Sequence, residues 1–333
     1  MSRLLMDEIE ATFRHLVAEG VIIHGPHTVV HHDENGFPLE FRICPSFLRK
    51  PQTVGAELDI SSLGGHGSSG GGSGGAKAKA KGRKWGPGSD MYLSDPRLIV
   101  APLNGGTHDL ALNLFAVDDA QLMMLTADTY RRQSEPLDMD DVGAALAVLR
   151  DLGTEVYVIY NGGREAGCSR MHKHMQGLRG PPHAFHVMVA EEEEDDEAGA
   201  GKAGKVPFVF FKHWFAEGFG ATSAEEVFRV YERLLARSRD ALGLDEPGGA
   251  DGERREGQEE DEEKGEGRGC PHNVVMWRDW LLVIPRRRAE LGGASANAVG
   301  MCGSPWVPER DQVDEWLRLG PREVLAALGV PRT

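Results

Sequence analysis

The residues best equipped for chemistry stand in the run GCSRMHKHMQGL, 167–178. His172, His174 and Gln176 alternate with the period of a β-strand, which puts all three side chains on one face. Just upstream, the loop GGREAGCSR (162–170) offers Gly162, Gly163 and Gly167 for close backbone approach. Ser169 and the amides of Gly167 and Cys168 can donate to phosphate oxygens, and Arg164 and Arg170 supply positive charge. A neutral imidazole beside such a cradle can attack phosphorus and form a phosphoramidate. Gln176 can hold a non-bridging oxygen but, unlike a third histidine, is neither acid nor base at neutral pH. That combination favours transfer to an acceptor over hydrolysis. The same two histidines also read as metal ligands or as ordinary strand residues, and spacing alone leaves all three readings open.

The flanking elements must position this row. The segment EVYVIYN (155–161) reads as a strand leading into the glycine loop. LIVAPL (98–103), HDLALNLFAV (108–117), QLMMLTA (121–127) and AFHVMVA (184–190) read as further strands, and NVVMWRDWLLVIPRRR (273–288) contains another. LDMDDVGAALAVLRDLG (137–153) is a helix capped by Asp138. SAEEVFRVYERLLARSRDALG (223–243) is a helix with a capping box from Ser223 to Glu226. Both chain ends are helical. Strands outnumber helices without strict βαβ alternation, so the expected fold class is α+β on an antiparallel sheet flanked by helices.

Three segments look disordered: about 61–89, 191–205 and about 245–269. All are too poor in apolar residues to offset ordering entropy. Residues 191–197 carry seven acids, and 245–266 carry eleven acids against three bases. Together these account for the whole formal charge of −15. The remainder is near neutral, so the acidity defines no partner and weighs against nucleic-acid binding. No apolar run reaches the roughly 20 residues of a membrane span. Cys44, Cys168, Cys270 and Cys302 are scattered, which fits free thiols in a reducing compartment. The expected location is cytoplasmic. The basic stretch from Lys77 to Lys84 reads as a solvated linker, with a nuclear address as the alternative. His183 and His186 are expected to be structural, His108 a surface or supporting group, Arg278 and Asp279 an ion pair at a strand start, and Arg286–Arg288 a solvated turn.

The run NGGREAGCSRMHKHMQ (161–176) resembles the signature of the diadenosine tetraphosphate phosphorylases (ATP adenylyltransferases), a branch of the histidine-triad superfamily. Other blocks resemble the same family in order: FRICPSFLRKP, HDLALNLFAV with QLMMLTADTYRRQSEPLDMDDVGAAL, NVVMWRDWLLVIPRR and SANAVGMCGSPWV. The resemblance implies a histidine-triad-like sheet in two parts. Residues 1–206 would be the N-terminal catalytic part, and 207–333 the ATP adenylyltransferase C-terminal part. It implies that His174 takes AMP from the α-phosphate, that Gln176 steadies that phosphate and that His172 orients the row. Asn161, Gly167, Cys168, Ser169 and Arg170 would form the phosphate loop, and Lys50 would approach the polyphosphate. Gly106 and Thr107, near Asn113, would lie along the nucleotide wall. Asn297, Ala298 and Val299, with Ser304, would line the second part of the substrate pocket. Inorganic phosphate would then attack the adenylyl-histidine, giving ADP and ATP. A divalent cation such as Mg would ride on the nucleotide, with no tightly bound metal, and the protein would be a monomer with small-molecule nucleotide and phosphate as partners.

The chain departs from the family pattern at several positions. Leu114 and Pro308 stand where the family has lysines, Ser304 where it has Met, and Arg170–Met171 where it has Gln-Pro. Two alternatives therefore accompany the phosphorylase reading. One is the same chemistry on a nucleoside diphosphate sugar or an adenylyl sulfate. The other is a nucleotide-binding module whose catalysis has decayed.

Overall fold

The computed structural model describes residues 4–49, 85–191, 204–244 and 269–332. In chain order the elements are α1 (Met6–Ala18), β1 (Thr28–Glu34), β2 (Phe37–Ile43), β3 (Ile99–Leu103), β4 (His108–Leu112), β5 (Leu122–Thr126) and α2 (Met139–Leu152). Then come β6 (Val156–Gly162), β7 (His174–Arg179), α3 (Phe185–Ala190), β8 (Phe211–Trp214), α4 (Gly218–Ala221), α5 (Ala224–Leu242), β9 (His272–Trp277) and β10 (Trp280–Pro285). The C-terminal region holds β11 (Glu290–Leu291), β12 (Ala294–Ser295), α6 (Ala298–Met301), β13 (Trp306–Val307), α7 (Arg310–Leu319) and α8 (Pro321–Leu328). With its mixed helices and antiparallel strands the protein is α+β.

Eight strands form one antiparallel sheet in the order β3-β4-β5-β7-β6-β9-β10-β8. The β6–β9 pairing, Val158 opposite Met276 through Gly162 opposite His272, lies beside its centre. The two parts of the chain thus share one sheet. A smaller sheet, β1-β2-β13, also joins the chain's beginning to its end.

Side-chain parity sorts the two faces. Val156, Val158 and Tyr160 of β6, Val274 and Met276 of β9, and Met175 of β7 join α1, α2 and α5 in one core. Tyr157 and Ile159 of β6, with Val275 and Trp277 of β9, join β2, α3 and the C-terminal helices in a second core on the other face. The run His172–Gln176 straddles this division. Lys173 and Met175 point toward α2, and His174 and Gln176 point away from it. On that second face, the β3–β4–β5 end of the sheet is left open as a cleft.

The helices follow their sequence signals. The α2 N-terminus has a full capping box: Asp138 accepts from the Asp140 and Asp141 amides, and Asp141 returns the bond to the Asp138 amide. Ser223 accepts from the Glu226 amide at the start of α5.

Six expectations need correction. AFHVMVA is helix α3, because the Val187 and Met188 amides turn back to the Ala184 carbonyl while Phe185, Val187 and Met188 are buried. HDLALNLFAV is a strand only to Leu112, because Asn113 then accepts from the Phe115 amide and turns the chain. NVVMWRDWLLVIPRRR holds two strands joined by Arg278 and Asp279, both at positive φ. These two residues are not an ion pair with each other. Arg278 lies over the Trp277 ring at 4.4 Å, and Asp279 accepts from the Phe219 amide. Arg286 does not belong to a solvated turn: it is fully buried, while Arg287 and Arg288 are exposed. Finally, residues 85–89 are ordered against the sheet, with Trp85 only 4% exposed, and Glu191 pairs with Arg332. The rest of the three segments expected to be disordered lies almost wholly outside the described residues.

Candidate active site

His174 opens β7, opposite Leu125 of β5. Gln133 holds the entry to the strand: its Oε1 accepts from the His174 amide at 2.8 Å, and its Nε2 donates to the carbonyls of His174 and Asn161. The His174 Nδ1–H donates to the His172 carbonyl at 2.8 Å. A neutral imidazole carries one N–H, so this bond fixes the tautomer and leaves the lone pair on Nε2. His174 as a whole is 6% exposed and lines the open cleft.

His172 has a different part. Its Nδ1 accepts from the Ser89 hydroxyl at 2.8 Å, and its Nε2–H reaches the Thr126 carbonyl and hydroxyl, both at 3.0 Å. Asp90 accepts from the amides of Met171 and His172. Burial lowers the His172 pKa and keeps the ring neutral, with the Thr126 carbonyl opposing that shift. Both ring nitrogens are engaged, so His172 anchors the row and is not poised as a metal ligand. Among the described residues, no group of three or more His, Cys, Asp or Glu gathers in a way that would hold a metal ion.

Behind the row lies a buried charge network. The Lys173 ammonium, 1% exposed, donates to Asp141 at 2.5 Å and to the Pro136 carbonyl at 2.6 Å. Asp141 also meets His108 Nε2 at 3.0 Å. His108 is thus a buried partner of the α2 N-terminus and not a surface group.

The cleft encloses about 590 Å³, including its open mouth. It brings together His174, Gln176, Ser169, Arg170 and Asn113. Its apolar walls include Trp85, Met91, Leu114 and Phe115. Arg170 is 96% buried, which lowers its pKa, with Asp90 acting in the opposite sense. Trp85 donates to Asp109 at 3.2 Å and closes one side of the cleft. Trp85 and Ser89 were missed in the sequence because they end a Gly/Ser/Lys-rich stretch; the lone tryptophan was the available signal.

The remaining expected site residues sit elsewhere. Asn161 is buried and accepts from Asn273 Nδ2 and from the Ala298 amide, both at 2.9 Å. Asn297 caps α6 through the Val299 and Gly300 amides, and Ala298 and Val299 are core residues. This segment packs directly behind the glycine loop. At Gly167 (φ +82°) a Cβ would lie 2.8 Å from the Ala296 carbonyl oxygen, which explains why only glycine fits. Cys168 is half-buried in the same loop. Gly106 and Thr107 stand at the far end of β4, where Asn104 ties them to Asp140 of α2, and they do not line the cleft. Ser304 is buried, its amide bonded to the Val299 carbonyl, and is also outside the cleft. Lys50 lies outside the described residues.

Arg286 is the member of this region that sequence reasoning assigned to solvent. Its guanidinium donates to the carbonyls of Ala166, Ala296, Arg288 and Leu328 and to Asn273 Oδ1. It staples the glycine loop to the C-terminal segment. Burial pulls its pKa down to about 9, which still leaves it charged at neutral pH.

Two domain families match the chain. Residues 75–187 match the Ap4A phosphorylase N-terminal domain, and 204–331 match the ATP adenylyltransferase C-terminal domain. The chain belongs to the Ap4A phosphorylase family. The diadenosine tetraphosphate phosphorylase 2 of Saccharomyces cerevisiae is 25% identical over 248 residues, 66% of this chain and 69% of the yeast protein. The fold is that of the crystal structure of yeast Ap4A phosphorylase, with a TM-score of 0.70, 19% identity, and coverage of 100% of this chain and 96% of that one. A crystal structure of the yeast enzyme in complex with Ap4A gives a TM-score of 0.68 at 19% identity, covering 100% and 99% of the two chains. A third, in complex with AMP, gives 0.67 at 19%, covering 98% and 96%. The histidine-triad-like sheet expected from the sequence is the sheet of this family.

Proposed function

We propose that this protein cleaves diadenosine tetraphosphate with inorganic phosphate to give ATP and ADP, through an adenylyl group carried on His174. The observation that carries this reading is the His174 ring itself. Its Nδ1–H is committed to the His172 carbonyl, so Nε2 presents its lone pair in a cleft shared with Ser169, Arg170 and Gln176. Nε2 attacks the α-phosphorus of one adenosine, the bond to the bridging oxygen breaks, and ATP leaves. Phosphate then attacks the same phosphorus, the P–N bond breaks, and ADP leaves with Nε2 restored. Arg170 offers a cationic partner for the transferring phosphoryl group. Gln176 offers a neutral hydrogen bond and no general base to activate water, which supports phosphate over water as acceptor.

The divalent cation belongs with the substrate in this reading, carried by the polyphosphate, and no step is assigned to it. We also take the working unit to be a single chain, which light scattering of the purified protein tests. The chemistry itself is tested by trapping. Mixing the protein with diadenosine tetraphosphate without phosphate, then quenching, should give a mass increase of one AMP per chain, mapped to His174. His174→Ala should show no adduct and lose roughly 10⁴-fold or more in turnover. Full turnover by that variant would refute the proposal.

A further inference from the structure

Gln121 immediately precedes β5 and is 1% exposed. Its Oε1 accepts from the Val117 amide at 2.9 Å, and its Nε2 donates to Gln176 Oε1 at 2.9 Å. An amide side chain has one accepting and one donating end. Which end points where is ordinarily a choice made from the surrounding bonds. Here that choice is anchored, because a backbone N–H can only donate. Val117 therefore fixes the oxygen of Gln121, which fixes its nitrogen, which in turn fixes the oxygen of Gln176.

We infer that Gln121 is a positioning residue which sets the orientation of the Gln176 carboxamide, so that Gln176 presents its NH₂ to the phosphoryl group on His174. The inference rests on the adenylyl-transfer reading of the cleft. Without the relay, Gln176 can turn over and offer its oxygen, a second acceptor facing an anion. With it, the row presents a nucleophilic nitrogen on His174 and a hydrogen-bond donor on Gln176, two residues apart on one strand face. Orientation is set from Val117, a residue with no place in the cleft lining. The donor is held ready before substrate arrives, as preorganised electrostatic stabilisation requires.

The test exploits the direction of the bond. Gln121→Glu keeps the shape and can still accept from Val117. When ionised, however, it cannot donate to Gln176, and Gln176 is expected to reverse. Protonation restores a donor, and burial raises the carboxyl pKa into an accessible range. AMP affinity of the purified full chain is measured by calorimetry from pH 5.5 to 8.5, alongside phosphorolysis, for wild type, Gln121→Glu and Gln121→Met. A hydrogen bond to a charged group is worth about tenfold or more in affinity. At pH 8.5 the Glu variant should bind AMP about tenfold more weakly than wild type and lose kcat, and its ratio to wild type should recover as pH falls. The Met variant should lose affinity by a pH-independent factor. A merely structural role for Gln121 would give a loss in the Glu variant that does not track pH, and that result would overturn the inference. So would a Glu variant within twofold of wild type at pH 8.5. If Gln121→Glu fails to fold, Gln121→Met decides: AMP binding and kcat equal to wild type would overturn the inference. AMP binding does not need turnover, so inactivity of wild type toward dinucleotides would count against the phosphorylase reading and not against the relay.

Discussion

At the scale of single residues, the site depends on which nitrogen holds which proton. His172 and His272 are held neutral by burial, against carbonyl acceptors that favour the protonated ring. His272 is the extreme case. Its Nδ1–H donates to the Cys270 carbonyl at 2.7 Å, and its Nε2 meets the Tyr231 hydroxyl at 2.9 Å. Full burial pushes its pKa down to about 4. The folded state therefore binds fewer protons than the unfolded chain below pH 6.5. The associated stability is fully present above that pH and is lost as pH falls through about 4. The shift corresponds to about 3 kcal/mol. Urea unfolding at pH 7 and pH 4 should show a loss of that order, reduced in His272→Gln; equal pH dependence in both proteins would contradict the assignment. The alternation of His172, His174 and Gln176 was readable in the sequence, because strand parity is a property of the backbone. The tautomers were not, because the Thr126 and Ser89 hydroxyls and the His172 carbonyl reach the rings only in the fold.

At the scale of elements, β7 is pinned from both faces. His172 is tied to Thr126 and Ser89 on one side, and Lys173 reaches Asp141 at the N-terminus of α2 on the other. The Asp138 capping signal and the helix it starts were legible. The ion pair beneath the row was not, because Lys173 and Asp141 lie in different elements and both types usually face solvent. Removing one partner of a buried pair leaves the other uncompensated, at a cost of about 3–5 kcal/mol. Lys173→Met should lower unfolding stability by that amount in urea titration, and a change below about 1 kcal/mol would show that Asp141 is satisfied without it. AFHVMVA failed for a related reason. A short apolar run fits a buried strand or one turn of buried helix equally well, and its neighbours in the second core decided for helix.

At the scale of the whole molecule, one sheet carries the chemistry across both parts of the chain. The β6–β9 pairing and the Arg286 staple hold the glycine loop between the histidine row and the C-terminal segment. Ordered motif blocks made this arrangement legible as a family. They placed His174, Gln176, Ser169, Arg170 and Asn113 in one cleft, and the structure brings those five together. They did not separate cleft residues from the framework behind them, where Asn161, Asn297, Ala298 and Val299 lock the two parts together. Trp85, which walls the cleft, was hidden at the end of a Gly/Ser/Lys-rich stretch, where one tryptophan was the sole cue. All of this serves one reaction, and its products report on it directly. Purified protein is incubated with diadenosine tetraphosphate with and without inorganic phosphate, and nucleotides are separated by ion exchange. The account predicts ATP and ADP in equal amounts, formed catalytically only when phosphate is present. Catalytic release of AMP and ATP without phosphate would contradict it, because the acceptor would then be water.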